Sequence, residues 1–153
     1  MNFSEFYANI SSYPLDKVVI IGLGNPNRKD DGAGLYLLKK LKHKQMLDSA
    51  HFIVAGRTPE NYLQKILSYT PKLVIFIDSM RNSKKNNIEL MDSTSIDING
   101  FTTHSYSIRL VEKYLKNNKD IKIMYLTLPA HNLGSGKNIT PQLKTKISNF
   151  LSN

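Results

Sequence analysis

The chain has 153 residues, of which 41% are hydrophobic and 22% charged, a balance that is typical of one globular domain and excludes general disorder. It contains no cysteine, which excludes disulfides, thiol catalysis and iron–sulfur ligation by this chain. The formal net charge of +9 favours acidic partners. The basic residues are spread along the sequence, however, so we predict no specific nucleic-acid partner.

No apolar stretch is long enough to span a bilayer, and the first residues lack the pattern of a signal peptide. We therefore expect a cytoplasmic protein without a membrane span, and we expect a monomer. Residues 1–16 are predicted to form an N-terminal extension in which Phe3, Phe6 and Tyr7 dock a short helix on the domain. Pro14 interrupts that pattern, and the domain itself is predicted over residues 17–153.

Short apolar runs alternate with segments of helical periodicity along the rest of the chain. Strands are predicted at residues 18–21, 52–54, 73–77, 88–91 (at a sheet edge) and 121–126, and helices at 35–41, from Thr58 onward, at 105–115 and at 140–151. Such alternation indicates βαβ crossovers. We predict a single α/β domain, a three-layer α/β/α sandwich with a mostly parallel central sheet. Functional residues of such folds lie at the carboxyl ends of the strands.

The loop after the first predicted strand, from Gly22 to Gly34, is rich in glycine and contains two adjacent acids. A dinucleotide site is excluded, because Asn27 replaces the last glycine of that fingerprint and acids at a helix start repel phosphate. Asp30 is interpreted as a helix N-cap, and Asp31 is either part of the helix start or a functional group. Structural roles are predicted for Asn25, which braces the loop, and for the glycines Gly22, Gly24, Gly32 and Gly34.

Two further candidates follow other predicted elements at the same sheet edge. Asp78 ends the most apolar strand, and His104 follows Thr102-Thr103 before a helix. Each has an ordinary alternative, as a turn residue or as a surface histidine. Together with Asp31 they could form a three-ligand site for a divalent transition metal. His131, just past another strand, is either an additional ligand or has no role in the site.

These residues resemble the hydrogenase maturation proteases, whose first motif reads Gly-x-Gly-Asn, four residues, Asp, Asp or Glu, Gly-x-Gly. Gly22 to Gly34 has this form, and Gly56 to Asn61 is similar to the second loop of the branch that processes hydrogenase 3-type large subunits. The segment from Leu73 to Asp78 is similar to the strand that carries the family's second acidic ligand. Thr102-Thr103-His104 resembles its histidine motif, and the whole resemblance covers residues 17–151.

The resemblance implies a cytoplasmic endopeptidase that acts on the precursor of the large subunit of a nickel–iron hydrogenase. Such enzymes remove a short C-terminal extension after nickel has been inserted. The nickel is carried by the precursor and is contacted by two acids and a histidine. At the matching positions of this chain, the catalytic and nickel-contacting residues are Asp31, Asp78 and His104, and the isolated protein is expected to need no metal of its own.

Three alternatives stay open beside this resemblance. The chain could be a nickel-sensing module that docks on a hydrogenase precursor without cutting it, or a basic α/β protein that binds nucleic acid. The segment from Gly22 to Pro26 also matches the opening of peptidyl-tRNA hydrolases, but the histidine that this family needs soon afterwards is absent. One departure from the protease pattern is Arg57, a cation near the proposed site that could tune which extension is accepted.

Overall fold

The structure is a computed structural model and describes residues 1–118 and 120–152. Its helices are α1 (Phe3–Ile10), α2 (Ala33–Lys42), α3 (Leu63–Ser68), α4 (Ser105–Lys116) and α5 (Pro141–Leu151). Its strands are β1 (Val18–Leu23), β2 (His51–Gly56), β3 (Leu73–Met80), β4 (Glu89–Asp92) and β5 (Lys122–Pro129). The five strands form one sheet. None of the helices in the described part of the chain is long and apolar enough to cross a membrane.

The sheet has the strand order β2-β1-β3-β5-β4. The first four of these strands are mutually parallel, and β4 pairs antiparallel with β5 at the edge, as the sequence predicted for residues 88–91. The chain runs from β1 outward to β2 and then returns to place β3 on the other side of β1. The strand order therefore reverses between β1 and β3, and the crevice at such a reversal is the usual ligand site of an open α/β sheet.

Alternate residues of the strands pack into two separate hydrophobic cores, one on each face of the sheet. In β1, Val18 and Ile20 pack toward α1, α2 and α5, whereas Val19 and Ile21 face the layer formed by α3 and α4. All six residues of β1 are buried, which explains its uninterrupted apolar sequence. The predicted three-layer α/β/α sandwich is confirmed.

The first helix is docked as the sequence predicted. Phe3, Phe6 and Ile10 are buried in the core, and the ring of Phe6 lies 6.0 Å from that of Phe150 on α5. Asn2 begins the helix with a capping box, in which its side chain accepts a hydrogen bond from the backbone N–H of Glu5. Residues 1–16 therefore contribute apolar surface to one of the two cores.

Three local expectations were wrong. β3 continues to Met80, so Asp78 lies inside the strand and not at its end. Thr58 precedes a 3₁₀ turn, Pro59–Tyr62, so the helix predicted from Thr58 onward begins only at Leu63. Asp30 lies within another 3₁₀ turn, Lys29–Gly32, and its carboxylate bonds a distant loop instead of the helix start.

Candidate functional site

A cleft of about 610 Å³ opens at the carboxyl ends of β1, β2 and β3. The loops after these three strands form part of its wall, and the segment that leads into α4 forms the rest. The side chains that carry charge or can titrate in this lining are Arg28, Asp31, Arg57, Glu60, Arg81 and His104. The cleft therefore lies at the carboxyl ends of the strands, as the sequence argument predicted, and next to the reversal of strand order between β1 and β3.

Gly24 fixes the path of the loop after β1. Its φ is +126°, and an added Cβ would lie 1.9 Å from the backbone oxygen of Asp31. The same oxygen accepts a hydrogen bond from the N–H of Asn25, whose side chain accepts one from the N–H of Asn27. The predicted structural roles of Gly24 and Asn25 are confirmed, and their combined effect is to hold Asp31 against the turn.

Gly34 sets the distance between α2 and the sheet. A Cβ at this position would lie 2.5 Å from the carbonyl oxygen of Leu23 and 2.6 Å from that of Ile77. Only glycine allows the helix to approach β1 and β3 so closely. The carboxylates that follow β1 are thereby brought near the part of β3 that carries Asp78.

Asp31 is a buried acid with a free acceptor in the wall of the cleft. The residue is 4% exposed, and its Oδ1 has no hydrogen-bond partner among the described residues. Its other oxygen lies 4.0 Å from the guanidinium of Arg28. Burying a carboxylate oxygen without a partner is costly, and such an atom is a mark of a ligand-binding position.

Asp78 lies beneath the cleft and is fully buried. Its carboxylate accepts hydrogen bonds from the N–H of Ser79 at 2.8 Å, and from the hydroxyl of Thr102 and the N–H of Thr103 at 3.1 Å each. Burial raises the pKa of this carboxyl to about 7, against the opposing effect of the hydrogen bonds, and the negative charge of Asp31 adds to the rise. Asp78 thus ties the Thr102-Thr103 segment to β3 and is close enough to Asp31 to feel its charge.

His104 is exposed at the opposite wall of the cleft and begins α4. Its Nδ1 accepts a hydrogen bond of 3.3 Å from the N–H of Tyr106, so the ring serves as the N-cap of the helix. In this arrangement the proton of a neutral ring is on Nε2. Binding a metal through Nε2 requires that proton to move to Nδ1, so the cap bond is lost whichever ring nitrogen binds the metal.

The three predicted residues surround one region but do not form a closed metal centre. Asp31 and His104 line the cleft, whereas Asp78 lies below its surface. Within residues 1–118 and 120–152, no group of three His, Cys, Asp or Glu side chains is placed to hold a metal ion. The side chain of His131 is exposed and does not line the cleft.

The sequence argument missed the role of Asp30 and two charged residues of the cleft. Asp30 is fully buried, and its carboxylate accepts hydrogen bonds from the backbone of His131, Asn132 and Thr140 and from the Thr140 hydroxyl, at 2.8–3.0 Å. No local pattern predicts partners about 100 residues away. Glu60 and Arg81, by contrast, follow strands that end at the cleft, and their positions in the sequence could have identified them.

The sequence has a recognisable relative in the archaeon Methanocaldococcus jannaschii. That protein is provisionally named a hydrogenase maturation protease and is 26% identical over 118 residues, which cover 72% of this chain and 70% of the relative. No family model matches the chain.

Several solved structures share the fold. The NiFe hydrogenase maturation protease HycI from Thermococcus kodakarensis KOD1 is 24% identical, has a TM-score of 0.73, and is matched over 86% of this chain and 85% of that one. The endopeptidase HycI from Escherichia coli is also 24% identical, with a TM-score of 0.70 and the same coverage. The hydrogenase maturating endopeptidase HybD from E. coli is 15% identical at a TM-score of 0.70, over 86% of this chain and 85% of that chain.

The structural matches are below 25% identity and therefore establish the fold. The curated relative and these structures all carry names of hydrogenase maturation proteases or endopeptidases. The resemblance to hydrogenase maturation proteases that was stated from the sequence motifs is thereby confirmed.

Proposed function

We propose that this chain is an endopeptidase that removes a C-terminal extension from the nickel-loaded precursor of a nickel–iron hydrogenase large subunit. Its fold and the named relative from Methanocaldococcus jannaschii support the class of enzyme. The proposed place of action is the cytoplasm, where the sequence resemblance puts members of the family. The hydrogenase 3-type branch remains a prediction from the loop Gly56 to Asn61.

The free Oδ1 of Asp31 is the observation that carries this proposal. Asp31 lines the cleft, and its buried Oδ1, which has no partner in the described residues, calls for a cation or a donor from outside. Nickel held by a precursor would supply that cation when the precursor docks. The nickel is then part of the substrate, and this chain needs no metal centre of its own.

Asp78 and His104 are proposed to complete the recognition. Asp78 lies behind the wall that His104 lines, because its carboxylate holds the segment Thr102-Thr103 that leads directly into His104. A cation that arrives at Asp31 stabilises the charged form of the nearby Asp78 carboxyl, which raises the attraction further. His104 can offer a ring nitrogen once its helix-capping bond has been released.

This arrangement makes cleavage depend on nickel insertion. A precursor without nickel leaves the Asp31 carboxylate unpartnered, so this contact does not stabilise the precursor in the productive position. A loaded precursor, by contrast, is held in the cleft through this contact. The substrate's nickel could in addition polarise the scissile carbonyl as a Lewis acid.

The test is a processing assay on a hydrogenase large-subunit precursor from the same cell, prepared with and without nickel. Mass spectrometry of the precursor before and after incubation identifies the released peptide. We expect loss of a C-terminal peptide from the loaded precursor alone. Binding of the loaded precursor without cleavage would instead support a docking module, and cleavage of both forms would contradict recognition through nickel.

A further inference from the structure

Arginine is concentrated in the cleft. The chain has four arginines, and three of them, Arg28, Arg57 and Arg81, line it. None of the many lysines within the described ranges does so. A general basic surface would show no such separation of the two cation types. Arginine differs from lysine in its planar fork, which binds carboxylates through two parallel hydrogen bonds.

The topology explains how these side chains meet. β2, β1 and β3 are neighbours in the sheet, and each is followed at its carboxyl end by a loop that contributes one arginine to the cleft. Arg57 directly follows β2 and Arg81 directly follows β3. The backbone N–H of Arg81 donates to the carbonyl of Gly100, which fixes the start of that loop. The arginines therefore stand in a row along one edge of the sheet.

Two of the three cations have no internal partner in the described residues. Arg28 lies 4.0 Å from Asp31 and donates to the carbonyl oxygen of Leu133. Arg57 and Arg81, within residues 1–118 and 120–152, have no carboxylate at ion-pair distance. Both are exposed and line the same cleft, so both guanidinium groups are available to a ligand.

The charges of the cleft show what such a ligand must carry. A site that recognised only a divalent cation would be weakened by two unpaired guanidinium groups beside it, because like charges repel. A substrate with negative charge next to its metal removes this conflict. We infer that Arg57 and Arg81 bind carboxylates of the substrate's C-terminal extension, either its acidic side chains or its terminal carboxylate.

The assignment of these carboxylates to the extension rests on the proposed function, but binding can be measured without nickel or cleavage. The probes are rhodamine-labelled hexapeptides of alternating alanine and glutamate, their glutamine counterparts, and both series with an amidated C-terminus. Fluorescence anisotropy reports their affinity for the wild type, for the double variant Arg57→Gln/Arg81→Gln, and for Lys84→Gln. Lys84 is an exposed cation outside the cleft lining and serves as the control.

We expect the acidic peptide to bind the wild type and Lys84→Gln equally and the double variant at least about tenfold more weakly, since each charge-assisted bond contributes on the order of tenfold. Added salt should weaken binding to the wild type. If the glutamine peptide binds the wild type more weakly, the contact is to acidic side chains. If the amidated peptide binds more weakly, the contact is to the terminal carboxylate. The inference would be overturned if the wild type bound every peptide equally well or bound none. It would also be overturned if the double variant bound the acidic peptide as tightly as the wild type.

The processing assay separates this inference from the proposed function. With the loaded precursor, the double variant should show a raised KM and a nearly unchanged kcat, because contacts to the extension are made equally in the bound substrate and in the transition state. Cleavage with the same KM in wild type and double variant would contradict the arginine site and leave the protease intact. If the protein binds the peptides in a charge-dependent way but cuts no precursor, the proposed protease function is contradicted and the arginine site is supported.

Discussion

The carboxylate of Asp30 accepts hydrogen bonds from both the backbone N–H and the hydroxyl of Thr140, at 2.8 Å and 2.9 Å. The same carboxylate accepts two more from the backbone of His131 and Asn132. Asp30 therefore joins the loop after β1 to the segment that connects β5 with α5. Its neighbour Asp31 has one oxygen without any partner in the described residues, so the two adjacent acids have opposite roles.

Replacing Asp30 should destabilise the fold. Asp30→Ala removes four hydrogen bonds and leaves backbone N–H groups of a part-buried loop without acceptors. We expect the free energy of unfolding in urea to fall by about 3 to 5 kcal/mol. The control Asp48→Ala removes an exposed carboxylate and should change it by less than about 0.5 kcal/mol. Equal effects of the two substitutions would contradict the bracing role of Asp30.

Gly24→Ala should disturb the site directly. The added Cβ meets the backbone oxygen of Asp31, and φ at this position is one that alanine adopts only with strain. We expect a loss of unfolding free energy on the order of 3 kcal/mol together with a loss of precursor processing. Gly134→Ala is the matched control, because its Cβ would meet only the side-chain oxygen of Asn132, at 3.1 Å. Full processing by Gly24→Ala would show that the loop needs no glycine there.

Stability should depend on pH through Asp78. Its pKa is raised to about 7 in the folded protein, so the unfolded chain loses this proton first as the pH rises. The contribution of Asp78 is fully present below about pH 4 and is lost as the pH rises through about 7. Relative to Asp78→Asn, the wild type should therefore lose a few kcal/mol of unfolding free energy between pH 4 and pH 8. Urea titrations of both proteins at the two pH values measure this difference, and parallel pH profiles would contradict the raised pKa.

Phe6 should be as important to stability as a residue of the central sheet. It is fully buried and packs against Phe150, so Phe6→Ala leaves a cavity between α1 and α5. We expect a loss of about 3 to 5 kcal/mol in the free energy of unfolding. Tyr114→Ala, which truncates an aromatic that is 54% exposed on α4, should cost less than about 1 kcal/mol. A small effect at Phe6 would mean that α1 adds little to the domain.

The layers of the fold were predictable because each buried strand is a continuous apolar run. Val18 to Ile21 and Leu73 to Ile77 have side chains in both cores, and this leaves no room for polar residues. The end of β3 was harder to predict. Asp78 and Ser79 are polar but buried, since their side chains are hydrogen-bonded to the Thr102-Thr103 segment and to the backbone of Asp30. Tertiary hydrogen bonds of this kind extend a strand beyond its apolar sequence.

The candidate site was predictable as far as strand ends define it. Asp31 and His104 lie in the cleft because they follow elements that end at the same sheet edge. The sequence could not predict how deeply each site residue is buried. The full burial of Asp78 and the helix-capping bond of His104 are examples. These depend on how the loops fold back on β3, which no local pattern specifies. The hydrogen-bond partners of Asp30 lie about 100 residues further along the chain and could not be predicted for the same reason.

The most direct measurement of the central claim compares wild type with Asp31→Asn on the nickel-loaded precursor. The two side chains have nearly the same shape, so the comparison isolates the negative charge that we propose for binding the substrate's nickel. Urea unfolding and the rate of release of the C-terminal peptide are measured on the same preparations. The account predicts a variant that is at least as stable as the wild type and processes the precursor at least a hundredfold more slowly. Processing at the wild-type rate by a folded Asp31→Asn would contradict the account.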